Sequence, residues 1–189
     1  SRNINLRLSN TELNEIKKLV GLATSSSSTF LAHLTDAVRD TSGNPLQELA
    51  PAVAMQVTGM GGYEFDVTPP TLVSFDLMME TGVPPLSLVL SFSETVNLTS
   101  LDPTMITIQS AASNPQFSYT LQSTTLPAGV TYDPVVTIEL HGNDLAAIYA
   151  LHEVALPGTI VDGLARHPRN TYLSILRGTV YDMIQPVNL

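Results

Sequence analysis

Residues 136–151 read VTIELHGNDLAAIYAL, and residues 4–19 read INLRLSNTELNEIKKL. In each, an alternating apolar stretch runs into a polar break and then into apolar residues at helical spacing, the signature of a strand followed by a short helix. Leu8, Leu13, Ile16 and Leu19 recur in order as Leu140, Leu145, Ile148 and Leu151. A second pair lies further along: TFLAHLTDAVRD at 29–40 and TYLSILRGTVYD at 171–182. Here Thr29, Leu31, Leu34, Val38 and Asp40 recur as Thr171, Leu173, Leu176, Val180 and Asp182. The offset is 132 in the first pair (136 minus 4) and 142 in the second (171 minus 29), which places a ten-residue insertion in the later copy, within 151–170. That stretch contains Pro157, Gly158 and Pro168, and a loop absorbs extra length at small entropic cost. The expectation is one structural unit written twice.

The two copies are unequal. The second begins near Asp66 and runs about seventy residues (136 minus 66) before reaching the part that matches Ile4, and the first has no such front half. The first continues beyond Asn44, Pro45 and Leu46 into PAVAMQVTG, a closing strand, whereas the second stops at PVNL. A chain that opens on Ser1 and breaks inside a unit at both ends reads as a piece of a longer repeat array. The domain reading is 1–62 as the C-terminal part of one repeat, 63–70 as a Pro-Pro junction, and 71–189 as a second repeat lacking its final strand.

Short apolar alternations bounded by turn residues run through the chain: INLRL, TFLAHL, AVAMQV, TLVSFDL, LSLVLSF, MITIQ, FSYTL, VVTIEL and TYLSIL. They predict strands of antiparallel sheets with one face buried, packed as a sandwich. Helices are expected at 10–19 and 143–151, with Asn10 or Thr11 capping the first, Glu12 in its opening turn, and Asn143 with Asp144 repeating the arrangement. The fold class is therefore all-β: tandem immunoglobulin-like antiparallel β-sandwich repeats, each with one short helix. Pro69 and Pro70 make the junction between them extended and semi-rigid.

Composition narrows the function. Eight Lys and Arg against 17 Asp and Glu give a net charge of −9, the wrong sign for nucleic acid or an anionic membrane surface. No apolar run of about 18 residues predicts a span, and the start carries no signal-peptide pattern. The chain has no cysteine, which excludes disulfides, thiolate metal sites and a cysteine nucleophile.

The order of three motifs carries a resemblance: DVTPPTLVSFD at 66–76, LVLSFSETVNLTSLDPTMITIQ at 88–109, and VRDTSGNPL at 38–46. Together they resemble the bacterial-type immunoglobulin-like tandem repeats of surface-layer and adhesin proteins, which open on a Thr-Pro-Pro segment, carry a Phe-Ser-Glu strand and close on an Asp-x-x-Gly-Asn-Pro turn. They are also similar to repeats in large extracellular proteins of algae and protists, such as flagellar-hair or cell-surface filament proteins. The second copy departs from the pattern at its end, where Asp182 is followed by Met183, Ile184, Gln185 and Pro186.

Candidate chemistry is sparse. Asp40, Gly43 and Asn44 can place oxygens around calcium, which takes six to eight hard oxygen ligands. The plainer reading is a turn in which Gly43 or Asn44 takes a positive φ and Asp40 accepts nearby amides. Asp66, Asp76 and Glu94 belong to the same question, and the candidate calcium set is Asp40, Asn44 and Asp66. Asn97-Leu98-Thr99 is an N-glycosylation sequon directly after a strand, and the serine run at 25–28 can bear O-linked sugar or form a polar loop. His33, His141, His152 and His167 show no metal-ligand spacing. There is no Gly-x-Ser-x-Gly elbow, Walker loop or dinucleotide fingerprint, so no catalytic residue is assigned and no cofactor is required, calcium apart.

These features, with the resemblance, imply a structural and adhesive module of a large extracellular or cell-surface repeat protein, building a layer, appendage or filament without catalysis. Its partners are neighbouring repeats, copies of itself or another surface protein, and glycans, with no nucleic acid and no membrane insertion. Val154, Leu156, Ile160 and Val161 in the insertion are candidate docking residues, and a neighbour's strand completing the second copy is the sharper version. The alternative is a calcium- or carbohydrate-binding recognition domain of an adhesin.

Overall fold

A computed structural model describes residues 3–58, 62–78, 87–122, 129–152 and 171–183. The insertion residues Val154, Leu156, Ile160 and Val161, as well as Pro84, Pro85 and the segment after Met183, lie outside the described residues. The chain divides into two units, Ser1–Thr68 and Pro69–Leu189, a division that falls within the stretch 63–70. Among the described residues the fold is mostly strand, in antiparallel sheets, with two short helices.

The first unit opens with residues 3–9 in no regular secondary structure. The strand predicted for INLRL is therefore not formed. A single alternating segment cannot satisfy its own N–H and C=O groups and becomes a strand only beside another. Helix α1 (Asn10–Lys17) comes next. Its cap is Ser9, not Asn10 or Thr11 as the sequence suggested: the Ser9 side chain accepts from the Glu12 amide at 3.2 Å, and the Glu12 carboxylate accepts from the Ser9 amide at 2.7 Å. This reciprocal pairing needs the acid three residues after the cap, and Glu12 stands at that distance only from Ser9.

Strand β1 (Phe30–Leu31) pairs antiparallel with β2 (Met55–Gln56), Phe30 opposite Gln56 and Leu31 opposite Met55. Isolated bridges His33–Leu49 and Arg39–Pro45 carry the two arms on towards a turn at 40–44. Tyr63 donates its hydroxyl to the Ala23 carbonyl at 2.7 Å and meets the Phe65 ring edge-on at 5.2 Å. Lys17 pairs with Asp66 at 2.6 Å, so residues 63–66 are fastened to the helix and the loop after it. No described residue of this unit is buried.

The second unit holds the core. One sheet runs β3 (Leu72–Met78), β4 (Ser87–Asn97), β7 (Tyr132–Glu139), and the other runs β6 (Ser118–Thr120), β5 (Ile106–Gln109), β8 (Tyr172–Ile175). Strand β9 (Tyr181–Asp182) pairs with the end of β4 on the side away from β7, with Val96 opposite Asp182. Helix α2 (Gly142–His152) lies between β7 and β8 in the chain. Leu88, Leu90, Phe92 and Val96 of β4, Ile106 and Ile108 of β5, Val136 and Ile138 of β7, Leu140, and Ile148 of α2 belong to one buried cluster. The alternation along β4 and β7 places these residues inward, and about 25 cal/mol per Å² of apolar surface removed from water is what holds both sheets on one core.

Strand β4 carries a large irregularity. Ser91 pairs with Val135 and Val96 with Asp133, so four residues of β4 face the single residue Pro134. Proline has no amide to donate to the ladder, and a position opposite a bulge tolerates that loss. The bulge contains Phe92 and Thr95, both buried, and Glu94.

Candidate functional site

The Asp40–Asn44 turn is built from the residues the sequence singled out. Asp40 Oδ1 accepts from the Ser42 and Asn44 amides, each at 2.8 Å, and Oδ2 accepts from Asn44 Nδ2 at 2.9 Å. Gly43 takes φ +87°, the left-handed geometry that closes the turn without a Cβ clash. Arg39 donates to the Gly43 carbonyl at 2.9 Å. The hydrogen bonds from Asn44, its side chain first, hold the Asp40 carboxyl below the usual aspartate value of 3.8. Both carboxylate oxygens thus serve backbone and side-chain donors, the chemistry of a self-closed Asx turn.

Asp66 is used differently. Its Oδ2 accepts from Lys17 Nζ at 2.6 Å and its Oδ1 from the Thr68 amide at 2.9 Å. Among the described residues Asp40 joins no group of three acidic or histidine side chains within reach of one ion. Asp76 is exposed on β3. Glu94, in the β4 bulge, brings a carboxylate oxygen within 4.8 Å of one on the buried Asp182.

Asn97 ends β4, half-buried, and its Oδ1 accepts from the Thr99 amide at 3.1 Å and the Thr99 hydroxyl at 2.7 Å. Ser28 Oγ accepts from the Thr24 and Ser25 amides at 3.0 and 2.9 Å, so the serine run is a folded turn. His33 sits at the Leu49 bridge, and its Nδ1 lies 3.3 Å from the Leu34 carbonyl. His141 is exposed just before α2. His167 and the side chain of His152 lie outside the described residues.

The sequence places Asp144 at a helix start and gives no sign of its burial. Asp144, in the first turn of α2, is fully buried, and its Oδ1 accepts from the Tyr119 hydroxyl and the Gln122 amide, both at 2.8 Å. It ties the helix start to the end of β6. Burial, and then the contact with Asp144, push the Tyr119 hydroxyl above its usual value of 10.0. Subtracting 132 from 144 gives Glu12, the acid at the matching place in α1, which is exposed.

The first unit also exposes apolar side chains. Ile4, Leu6, Leu8, Leu13, Phe30, Leu31 and Leu34 all stand exposed, and several of them come from strictly alternating or helical positions. Among the described residues no helix is long and apolar enough to cross a membrane. Comparison of the chain with family models, with curated proteins and with solved structures found no match.

Proposed function

We propose that this chain is a non-catalytic structural module, a pair of tandem immunoglobulin-like sandwich repeats from a large extracellular or cell-surface protein that builds a layer, appendage or filament. The observation that carries the reading is a correspondence of elements. Helix α1 begins at Asn10 and α2 at Gly142, an offset of 132. Strand β1 begins at Phe30 and β8 at Tyr172, an offset of 142. Both offsets equal those of the sequence match, so at these two places aligned residues begin like elements, although residues 4–8, unlike 136–139, form no strand. An acid stands at the matching position of each helix start, Glu12 and Asp144.

The mechanism is mechanical. Antiparallel sheets around one core resist deformation, Pro69 and Pro70 limit bending of the chain between repeats, and open strand edges let neighbours add on. The extracellular setting comes with the resemblance to surface-layer and adhesin repeats, and Asn97 would carry a glycan in a host that modifies such sequons. Electron microscopy of the native protein tests the reading. Filaments or sheets with a regular repeat are expected, and dispersed particles that never associate would overturn it.

A further inference from the structure

We propose that a glycan carried by Asn97 lies over Tyr132 and Tyr181, so that the sugar fastens the three strands that meet at the end of β4. The proposal rests on the extracellular reading, which supplies the sugar, and names what that sugar touches. Asn97 is opposite Tyr132 of β7 on one side and Tyr181 of β9 on the other. Residues directly opposed across strands project to the same face with Cβ atoms about 4.5–5.5 Å apart, so the sequon asparagine stands between two tyrosines. That face is the outer one. The neighbouring row points inward: Val96, opposite both Asp133 and Asp182, is fully buried and Asp182 is 6 % exposed, whereas Tyr181 is 37 % exposed.

The local hydrogen bonds set this group in place before any sugar arrives. Asn97 Oδ1 accepts from the Thr99 amide and hydroxyl, and Nδ2, the atom a sugar would take, makes no hydrogen bond among the described residues. Modification keeps Oδ1 and one N–H, so the turn closed by Thr99 survives it. The donor is an oligosaccharide linked through a diphosphate to a lipid: its anomeric C1–O bond breaks, a C1–Nδ2 bond forms, the diphosphate leaves with the electron pair, and Nδ2 gives up one proton. Ser100 ties the asparagine to one of its tyrosines, since its Oγ donates to the Asn97 carbonyl at 2.6 Å and accepts from the Tyr181 amide at 2.9 Å. Gly178, at φ +89°, makes room beside the Tyr181 side chain, because a Cβ there would stand 3.4 Å from the hydroxyl oxygen. A ring already laid against its own turn loses little freedom when a ligand covers it.

The fitting ligand is the first N-acetylhexosamine of an N-linked chain. One face of such a pyranose carries C–H bonds rather than hydroxyls, and an aromatic ring removes that face from water while a tyrosine hydroxyl stays wet. Because β4, β7 and β9 each supply one of the three residues, a sugar resting on both tyrosines bridges all three strands. Strand β9 gains most, being only the two residues Tyr181–Asp182.

The test compares the full chain secreted from a eukaryotic host, its glycan trimmed to a single N-acetylglucosamine, with the same chain made without glycosylation. Asn97 lies in the only Asn-x-Ser/Thr sequon of the sequence, so one increment in intact mass reports its occupancy. The expected results are an occupied Asn97, sugar proton resonances moved upfield with cross-relaxation to tyrosine ring protons, and an unfolding midpoint about 2–4 °C above that of the bare chain. Each variant is set against its own bare form: the gain disappears when Tyr132→Ala and Tyr181→Ala are combined and stays in Tyr181→Phe. A bare Asn97, sugar resonances without ring contacts, or a gain that persists in the double variant overturns the proposal. The ring contacts are read on the unaltered sequence, so they decide the matter even where the double variant fails to fold. Regular filaments with a sugar that touches neither ring would sink this proposal alone, and ring contacts in particles that never associate would sink the structural-module reading alone.

Discussion

The first unit and the second carry the same apolar pattern and put it to opposite uses. Every described buried residue belongs to the second unit, and the first has none. The first unit is held instead by polar contacts, three of them short-range closures, the Ser9–Glu12 box, the Ser25–Ser28 turn and the Asp40–Asn44 turn, and one long-range, the Lys17–Asp66 pair. Local sequence is enough to form a capped helix or an Asx turn. Burial is not a local property, because an amphipathic element is covered only when the element that matches it is in place.

The sharpest way to break this contrast is to truncate matched residues in the two units. Ile138→Ala removes a fully buried β7 side chain from the core, and should destabilise the second unit by about 2–5 kcal/mol. Leu6→Ala, at the matching position, should change the stability of the chain by less than about 0.5 kcal/mol. Urea denaturation of the two variants measures both. Equal losses would mean that residues 4–8 are covered after all, and the contrast would fall.

A smaller effect is expected at the helix starts. Asp144→Ala leaves the Tyr119 hydroxyl and the Gln122 amide without that acceptor inside the protein, at a cost of about 1–3 kcal/mol. Tyr119→Phe, which deletes one of the two donors, should cost about 1 kcal/mol. Glu12→Ala, exposed and serving only its own helix, should lower α1 helicity without moving the main unfolding transition. Thermal melts read at helix and sheet wavelengths separate these outcomes. If Glu12→Ala destabilised the chain as much as Asp144→Ala, the two acids would share one role, and the second unit's use of Asp144 to clamp β6 would not distinguish them.

Legibility from sequence divides along the same line. The two helices, most of the strands of the second unit, and the Gly43 turn could be read from spacing, because each depends on residues within one element or one turn. The strand expected at 4–8 could not be judged from its own residues, since INLRL is as good a pattern as VTIEL and only a neighbouring strand decides. The cap moved from Asn10 to Ser9 for a related reason: three polar residues in a row can all cap, and the reciprocal bond to Glu12 selects one. The bulge in β4 lies opposite Pro134, forty-three residues beyond Ser91 in sequence (134 minus 91), and pairing across that distance is invisible in either strand alone. Asp144 was read as a helix-start acid, and what makes it a structural clamp is the tyrosine brought over it by β6.

The smallest expected effect compares Asp40 with Asp182, which stand at matching positions. Asp40 is exposed and closes its own turn, and Asp182 is buried beside the end of β4. Because hydrogen bonds from Asn44 lower the folded value of Asp40 beneath 3.8, the contribution of this turn is complete above the ordinary aspartate value and disappears as pH falls through the lowered one. Carbon-detected titration should place the Asp40 midpoint below 3.8, with the Ser42 and Asn44 amide signals moving in step, since those amides donate to the same oxygen. Asn44→Ala removes the largest of the lowering interactions and should bring the midpoint back up towards 3.8. A midpoint at or above that value in the unaltered chain would mean that the turn is open in solution, and the first unit would then lack the closure that joins its two arms.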